Sequence, residues 1–154
     1  MQTKLDPIPL LMQELAPATP EIAAIAPGQG MRWLVRFDDG IRVQADAAPD
    51  PARLLLSAPL GRPTSSAQLA VCETLLSYNL LWRETGGVKA GLMGPDGEAM
   101  LLFELYTDSL LLADLRTVMV NFANLARVWS AYIQSEVAPE PEVPMSGSAL
   151  DMRA

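Results

Sequence analysis

The sequence predicts an α+β fold, an antiparallel sheet packed with three helices, and three observations carry that prediction. Met31, Trp33, Val35 and Phe37 alternate with Arg32, Leu34 and Arg36, then Asp38-Asp39-Gly40 turns the chain into a second alternating run. Period-two alternation is the pattern of a half-buried strand, and glycine accepts the positive φ that a tight hairpin requires. Two long segments instead repeat their apolar residues at helical spacing and end at breakers. The length, 154 residues with 50% apolar composition, suits one domain with a substantial core.

Taken in order, Asp6 to Leu15 reads as a first helix. Asp6-Pro7 supplies a cap and first position, and Leu10, Leu11 and Leu15 stand at helical spacing opposite Gln13 and Glu14. Pro17 and Pro20 end it. Ile22 to Ala26, before Pro27-Gly28, is left open as a weak strand. After the first hairpin, whose second strand alternates Ile41, Val43 and Ala45 with Arg42, Gln44 and Asp46, a further strand runs from Arg53 to Ala58. Ser65 or Ser66 can cap a second helix reaching Trp82, with Gly86-Gly87 beyond it. Val88 to Leu92 and Glu98 to Leu105 form another hairpin around Gly94-Pro95-Asp96-Gly97. Asp108 or Ser109 caps the last helix, which reaches Gln134 and buries Leu111, Leu115, Val118, Phe122, Leu125 and Trp129. The order is α-β-β-β-α-β-β-α over residues 1–135, followed by a Pro-, Glu- and Ser-rich tail over 136–154 whose composition predicts disorder.

Composition removes several function classes. With no histidine there is no Ser-His-Asp or Cys-His catalysis and no histidine metal site. A single cysteine allows neither an internal disulfide nor a cysteine-rich zinc site, which fits a reducing cytoplasm. A net charge of −7 disfavours nucleic acid and anionic membrane surfaces. No basic segment followed by an apolar run opens the sequence, so no secretory signal is expected, and no apolar run approaches the ~20 residues of a membrane span.

The remaining candidates for chemistry reduce to structure. Cys72 lacks an activating base and sits among apolar neighbours, so it reads as a buried thiol. Asp38-Asp39-Gly40 and Asp96-Gly97 lack the spaced oxygen ligands of a calcium loop. Gly86-Gly87 lacks phosphate-loop spacing, and Glu104 reads as a solvated strand position. No catalytic residue, metal site or cofactor emerges.

What remains is apolar surface. The second helix carries two apolar stripes, Leu69, Cys72, Leu76 and Leu80 on one side and Val71, Leu75, Tyr78 and Trp82 on the other, with Glu73 the only charge between Ser66 and Trp82. A helix packed on one sheet needs one stripe, so two imply burial on two sides, one of them against a second copy of the chain. The first helix has two readings: core only, or partly exposed as a docking surface.

Several segments in order resemble the Tir-chaperone (CesT-like) family of type III secretion chaperones. They are the leucine-bearing first helix, Trp33-Leu34-Val35-Arg36-Phe37-Asp38-Asp39-Gly40, Leu54-Leu55-Leu56-Ser57-Ala58-Pro59-Leu60-Gly61, and Leu75-Leu76-Ser77-Tyr78-Asn79-Leu80. Thr85-Gly86-Gly87 with Gly91-Leu92, and Phe122-Ala123-Asn124-Leu125-Ala126-Arg127-Val128-Trp129, complete the set, which spans Leu5 to Ala131. The Ala- and Pro-rich stretch from Ala16 to Pro27 and the C-terminal tail depart from the family pattern. The resemblance implies a cytoplasmic bacterial homodimer without ATPase activity, binding the N-terminal segment of a secreted effector and keeping it extended and soluble. It also implies the secretion ATPase as a candidate partner. The dimer interface then falls on Leu69, Cys72, Leu76 and Leu80, or alternatively on Val71, Leu75 and Tyr78. The effector surface falls on Leu10, Leu11, Leu15, Val35, Leu101 and Phe103. The acidic net charge predicts a basic or neutral client segment. Two other classes are weighed against this one: a regulatory module of the same fold that sequesters a soluble regulator, and a small-molecule enzyme, which the missing histidine disfavours.

Overall fold

The computed structural model describes residues 6–95 and 97–135. The expected tail over 136–154 and Asp96 of the second hairpin lie outside the described residues. The chain folds into helix α1 (Ile8–Ala18), strands β1 (Ile22–Pro27), β2 (Arg32–Phe37), β3 (Arg42–Ala48) and β4 (Arg53–Gly61), helix α2 (Gln68–Leu80), strands β5 (Lys89–Leu92) and β6 (Ala99–Tyr106), and helix α3 (Leu112–Gln134). The α+β arrangement and its sequence of elements are those the sequence predicts, and the segment left open at Ile22 adds one strand as β1. All strands pair antiparallel in one six-stranded sheet of order β1-β2-β3-β4-β6-β5.

Each strand alternates because one sheet face packs on the helices. On that inner face Val35, Phe37, Val43, Ala45, Leu54, Leu56 and Leu101 are buried, in one cluster with Leu115, Met119, Phe122 and Ala126 of α3. Fully burying such a side chain contributes roughly 1.5–3 kcal/mol, so this layer supplies most of the driving force. The outer face keeps Arg32, Leu34, Arg36 and Arg42 exposed. Strand β4 runs through Pro59, beyond the predicted end at Ala58. Its pairing with β3 stops at Ser57, so the missing Pro59 N–H deprives no ladder on that side.

The helices differ from prediction mainly in phase. In α1 the buried stripe is Ile8, Met12 and Leu15, while Leu10 points outward. The helix begins one residue later than expected, with Pro7 at the cap, and the Asp6 carboxylate just before it accepts the Ile8 N–H at 3.1 Å. In α3 the buried stripe is Leu115, Met119, Phe122, Ala123, Ala126, Trp129 and Ile133. Val118 and Leu125 are half-buried, and Leu111 is exposed because it sits at the helix cap, where the Asp114 carboxylate accepts its N–H at 3.2 Å. Helix α2 starts later than Ser66 and has no side-chain cap. It is fastened to α3 by the edge-to-face contact of Tyr78 on Trp129 at 4.9 Å and by the Thr74–Tyr132 hydroxyl contact, while Trp129 in turn meets Tyr132 of its own helix edge-to-face at 5.8 Å.

Arg127 on α3 pairs with Asp39 in the β2–β3 turn and also donates to Asn124 at 2.6 Å. The hydrogen bond from Arg127 holds the Asp39 carboxyl below its ordinary value. At the α1–β1 corner the Thr19 hydroxyl is fully buried and has no hydrogen-bond partner. An isosteric apolar side chain relieves that cost, so Thr19→Val should hold or raise unfolding stability, by up to about 1–3 kcal/mol in denaturant titration. Met119→Ala should lower it by about 2–5 kcal/mol.

Candidate functional site

An open sheet has two edges, and here they differ. Strand β5 pairs with β6 on one side only, and Ala90 turns its peptide groups the other way. Those groups are met by the side chain of Asn79 near the end of α2. Asn79 Nδ2 donates to the Ala90 carbonyl at 2.8 Å, and the Ala90 N–H donates to Asn79 Oδ1 at 2.7 Å. The amide acts as a one-residue strand and satisfies this edge at Ala90.

Among the described residues, strand β1 pairs only with β2. Gly28 N–H donates to the Arg32 carbonyl at 2.7 Å, and antiparallel alternation then turns the peptide groups of Ile25 and Pro27 outward. Edge strands are commonly protected by charged side chains. Here Ala23, Ala24, Ile25 and Ala26 carry none, and the bulge between Ile22 and Ala24 with Pro27 at the end is all that interrupts the edge.

Beside β5, α2 shows its second apolar stripe. Leu69, Leu76 and Leu80 are 71%, 70% and 81% exposed, and Cys72 is half-buried. The alternative stripe, Val71, Leu75 and Tyr78, is buried in this protomer's own core, so it offers nothing to a second chain. Trp82, 63% exposed under the Arg83 guanidinium, and Met93 extend the open apolar surface. A groove of about 710 Å³ continues it along β5, between Asn79, Leu92, Met93 and Leu102.

The six residues expected to contact a client divide. Leu10 is exposed and Leu11 half-buried on α1, which packs beside β1. Leu15, Val35 and Leu101 are fully buried in the core, and the expectation of a client-facing role is corrected for these three. Strand register puts Val35 and Leu101 on the helix-covered face, together with Phe37 and Leu56, and Leu15 is on the buried stripe of α1. Phe103 is half-buried on β6 and lines a 260 Å³ apolar groove with Val88, Val118, Phe122 and Leu125. It lies four strands from β1, so the structure does not bring it together with the α1 leucines. Leu34 was missed: it is 41% exposed on the outer face beside β1, paired with Ala26. Its sequence signal is an apolar residue between Arg32 and Arg36 in the polar phase of the strand.

The outer face is otherwise charged. Arg32 pairs with Asp46 and Arg53 with Glu104 at 3.6 Å, so Glu104 is partnered rather than merely solvated. Burial raises the Asp46 carboxyl, but hydrogen bonds from Arg32 and Gln44 outweigh it and hold the group below its ordinary value. Among the described residues no group of three or more Cys, Asp or Glu side chains could hold a metal ion, and no helix is long and apolar enough to cross a membrane.

Comparison with known proteins agrees with this geometry. The model of the Tir chaperone protein (CesT) family matches residues 22–130, most of the folded part. The chain belongs to this family. No curated protein matches the sequence. Among solved structures, a chain of the ExsC-ExsE complex is similar at TM-score 0.67 and 18% identity, over 82% of this chain and 92% of that one. A chain of the HopA1-SchA chaperone-effector complex is similar at TM-score 0.61 and 17% identity, over 80% of this chain and 92% of that one. At such identities the likeness speaks for the fold, and the CesT chaperone fold is the one described above. The matched range begins at β1 and leaves α1 outside it.

If Asn79 closes the β5 edge, Asn79→Ala strands two buried-edge peptide groups. We expect a loss of about 1–3 kcal/mol in denaturant titration, with faster hydrogen exchange at Ala90. Unchanged exchange there would show that the bracket does not hold.

Proposed function

We propose that the protein is a type III secretion chaperone, acting as a cytoplasmic homodimer without ATP hydrolysis, that holds the N-terminal segment of a secreted effector in extended form. The observation that carries this reading is the open edge of β1 in a sheet whose other edge is bracketed at Ala90 by Asn79. An extended segment added there gains main-chain hydrogen bonds and places alternate side chains on the two faces of the sheet. On the helix side it meets Leu10 and Leu11, and on the outer side Leu34. Phe103 and its groove offer a further apolar anchor. From β1 to β6 is four strand spacings of ~4.8 Å, a span that about six extended residues cover. Holding the client this way shields a chain that would otherwise aggregate.

The exposed stripe Leu69, Leu76 and Leu80, with Cys72 between, supports dimerisation through α2. A contiguous apolar patch of that kind on a folded surface marks a contact with another chain. The secretion ATPase remains a candidate partner by family membership alone.

Two pairs of variants test the reading. Leu76→Asp puts a charge on the exposed stripe, and light scattering should report one chain in place of two with the circular dichroism of the parent. Leu75→Asp puts the same charge in the core and should unfold the protomer. A folded, dimeric Leu76→Asp protein would refute the interface. Ile25→Pro removes an outward N–H while sparing the β2 ladder, and should abolish binding of the effector segment in isothermal titration. Asn79→Ala should leave that binding in place. Full affinity in Ile25→Pro would refute addition at β1.

A further inference from the structure

The outer face beside β1 holds a like-charged pair that the fold does not explain. Arg36 and Arg42 stand directly opposite each other in the β2–β3 register, and both are exposed. Like charges in that position are destabilising. The neighbouring arginines Arg32 and Arg53 each have a carboxylate, but among the described residues neither Arg36 nor Arg42 has an ion-pair partner. The closest acidic residues along the chain do not serve: Asp39 is taken by Arg127, and Glu21 and Asp38 make no ion pair with either arginine. In a chain of net charge −7, such partners would be easy to supply.

The register next to the pair is as telling. Arg36 is paired on its other side with Ala24 of β1, and Leu34 with Ala26. Each alanine offers only a methyl group. The Arg36 side chain can therefore lie across β1 and reach a strand one spacing beyond it, about 4.8 Å away. We propose that the client strand added to β1 carries an Asp or Glu side chain on the outer face, bound by Arg36 with Arg42 behind it, two residues from an apolar side chain that packs on Leu34. The two-residue interval follows from strand alternation, since Ala24 and Ala26 share a face. The pair stays uncompensated in the free protein because its counter-ion arrives with the client. This rests on β1 as the client edge, and it reverses locally the preference for a basic or neutral client that net charge alone predicts.

The test pans a phage-displayed library of random linear peptides against the full-length protein. Enriched peptides should place Asp or Glu two positions from an apolar residue. A synthetic copy of one should bind the Arg36→Glu variant about tenfold more weakly, and changing its carboxylate to Lys should restore that binding. Arg36→Glu sets opposite charges across the β2–β3 pair, so it should melt higher than the parent, which separates lost binding from lost folding. Peptides lost on Ile25→Pro but indifferent to Arg36→Glu would overturn this inference and leave the edge intact. A library yielding no binder sensitive to Ile25→Pro would overturn both. A single-stranded oligonucleotide bound by the parent and lost in Arg36→Glu, with no carboxylate preference among peptides, would assign the arginines to phosphate and overturn the inference.

Discussion

A sheet that does not close ends in two rows of peptide groups, and how those rows are satisfied governs much of this structure. Asn79 spends its whole side-chain amide on the backbone of Ala90, at 2.8 and 2.7 Å. That bracket needs α2 alongside β5, which in turn needs Val71, Leu75 and Tyr78 seated in the core and Tyr78 against Trp129. With α2 held in that orientation, its remaining stripe has nowhere to point but outward. The exposed leucines of α2 are thus a consequence of the same placement that closes the edge. At the opposite end of the sheet β1 has no such partner among the described residues, and its side chains there are small and uncharged.

The division of labour follows from this asymmetry. One end of the sheet is bracketed at Ala90 and lies beside the exposed apolar face of α2. The other lies open, with α1 packed beside it and Leu34 and two arginines that have no ion-pair partner among the described residues on the outer side. Membership of the CesT family is compatible with an edge of that kind.

Much of the fold was legible because its signals are local. The alternation from Met31 to Phe37 and the Asp38-Asp39-Gly40 turn depend on neighbours in sequence, and β2 and β3 lie where they indicate. Helix phase was less legible. Leucine count pointed to Leu10, Leu11 and Leu15 in α1, whereas the buried stripe is Ile8, Met12 and Leu15, since which face turns inward is decided by tertiary packing. The site was harder still. Val35 and Leu101 share strand parity with core residues, so the alternation that found the strands also placed them inside. Leu34 was visible only as an apolar exception among arginines. Asn79, a polar residue on an otherwise apolar helix, gave a signal whose meaning depended on where β5 would lie.

The central claim is that the two sheet edges differ, with β1 the one that accepts another chain. Residue-resolved amide hydrogen exchange tests it most directly. In the free protein the Ala90 N–H should be protected although it lies on an edge strand, and the Ile25 N–H should exchange at nearly the rate of an open chain. On addition of an effector N-terminal segment, Ile25 should become protected while Ala90 stays as it was. An Ile25 amide already protected in the free protein, or one that stays unprotected in the complex, would contradict the account.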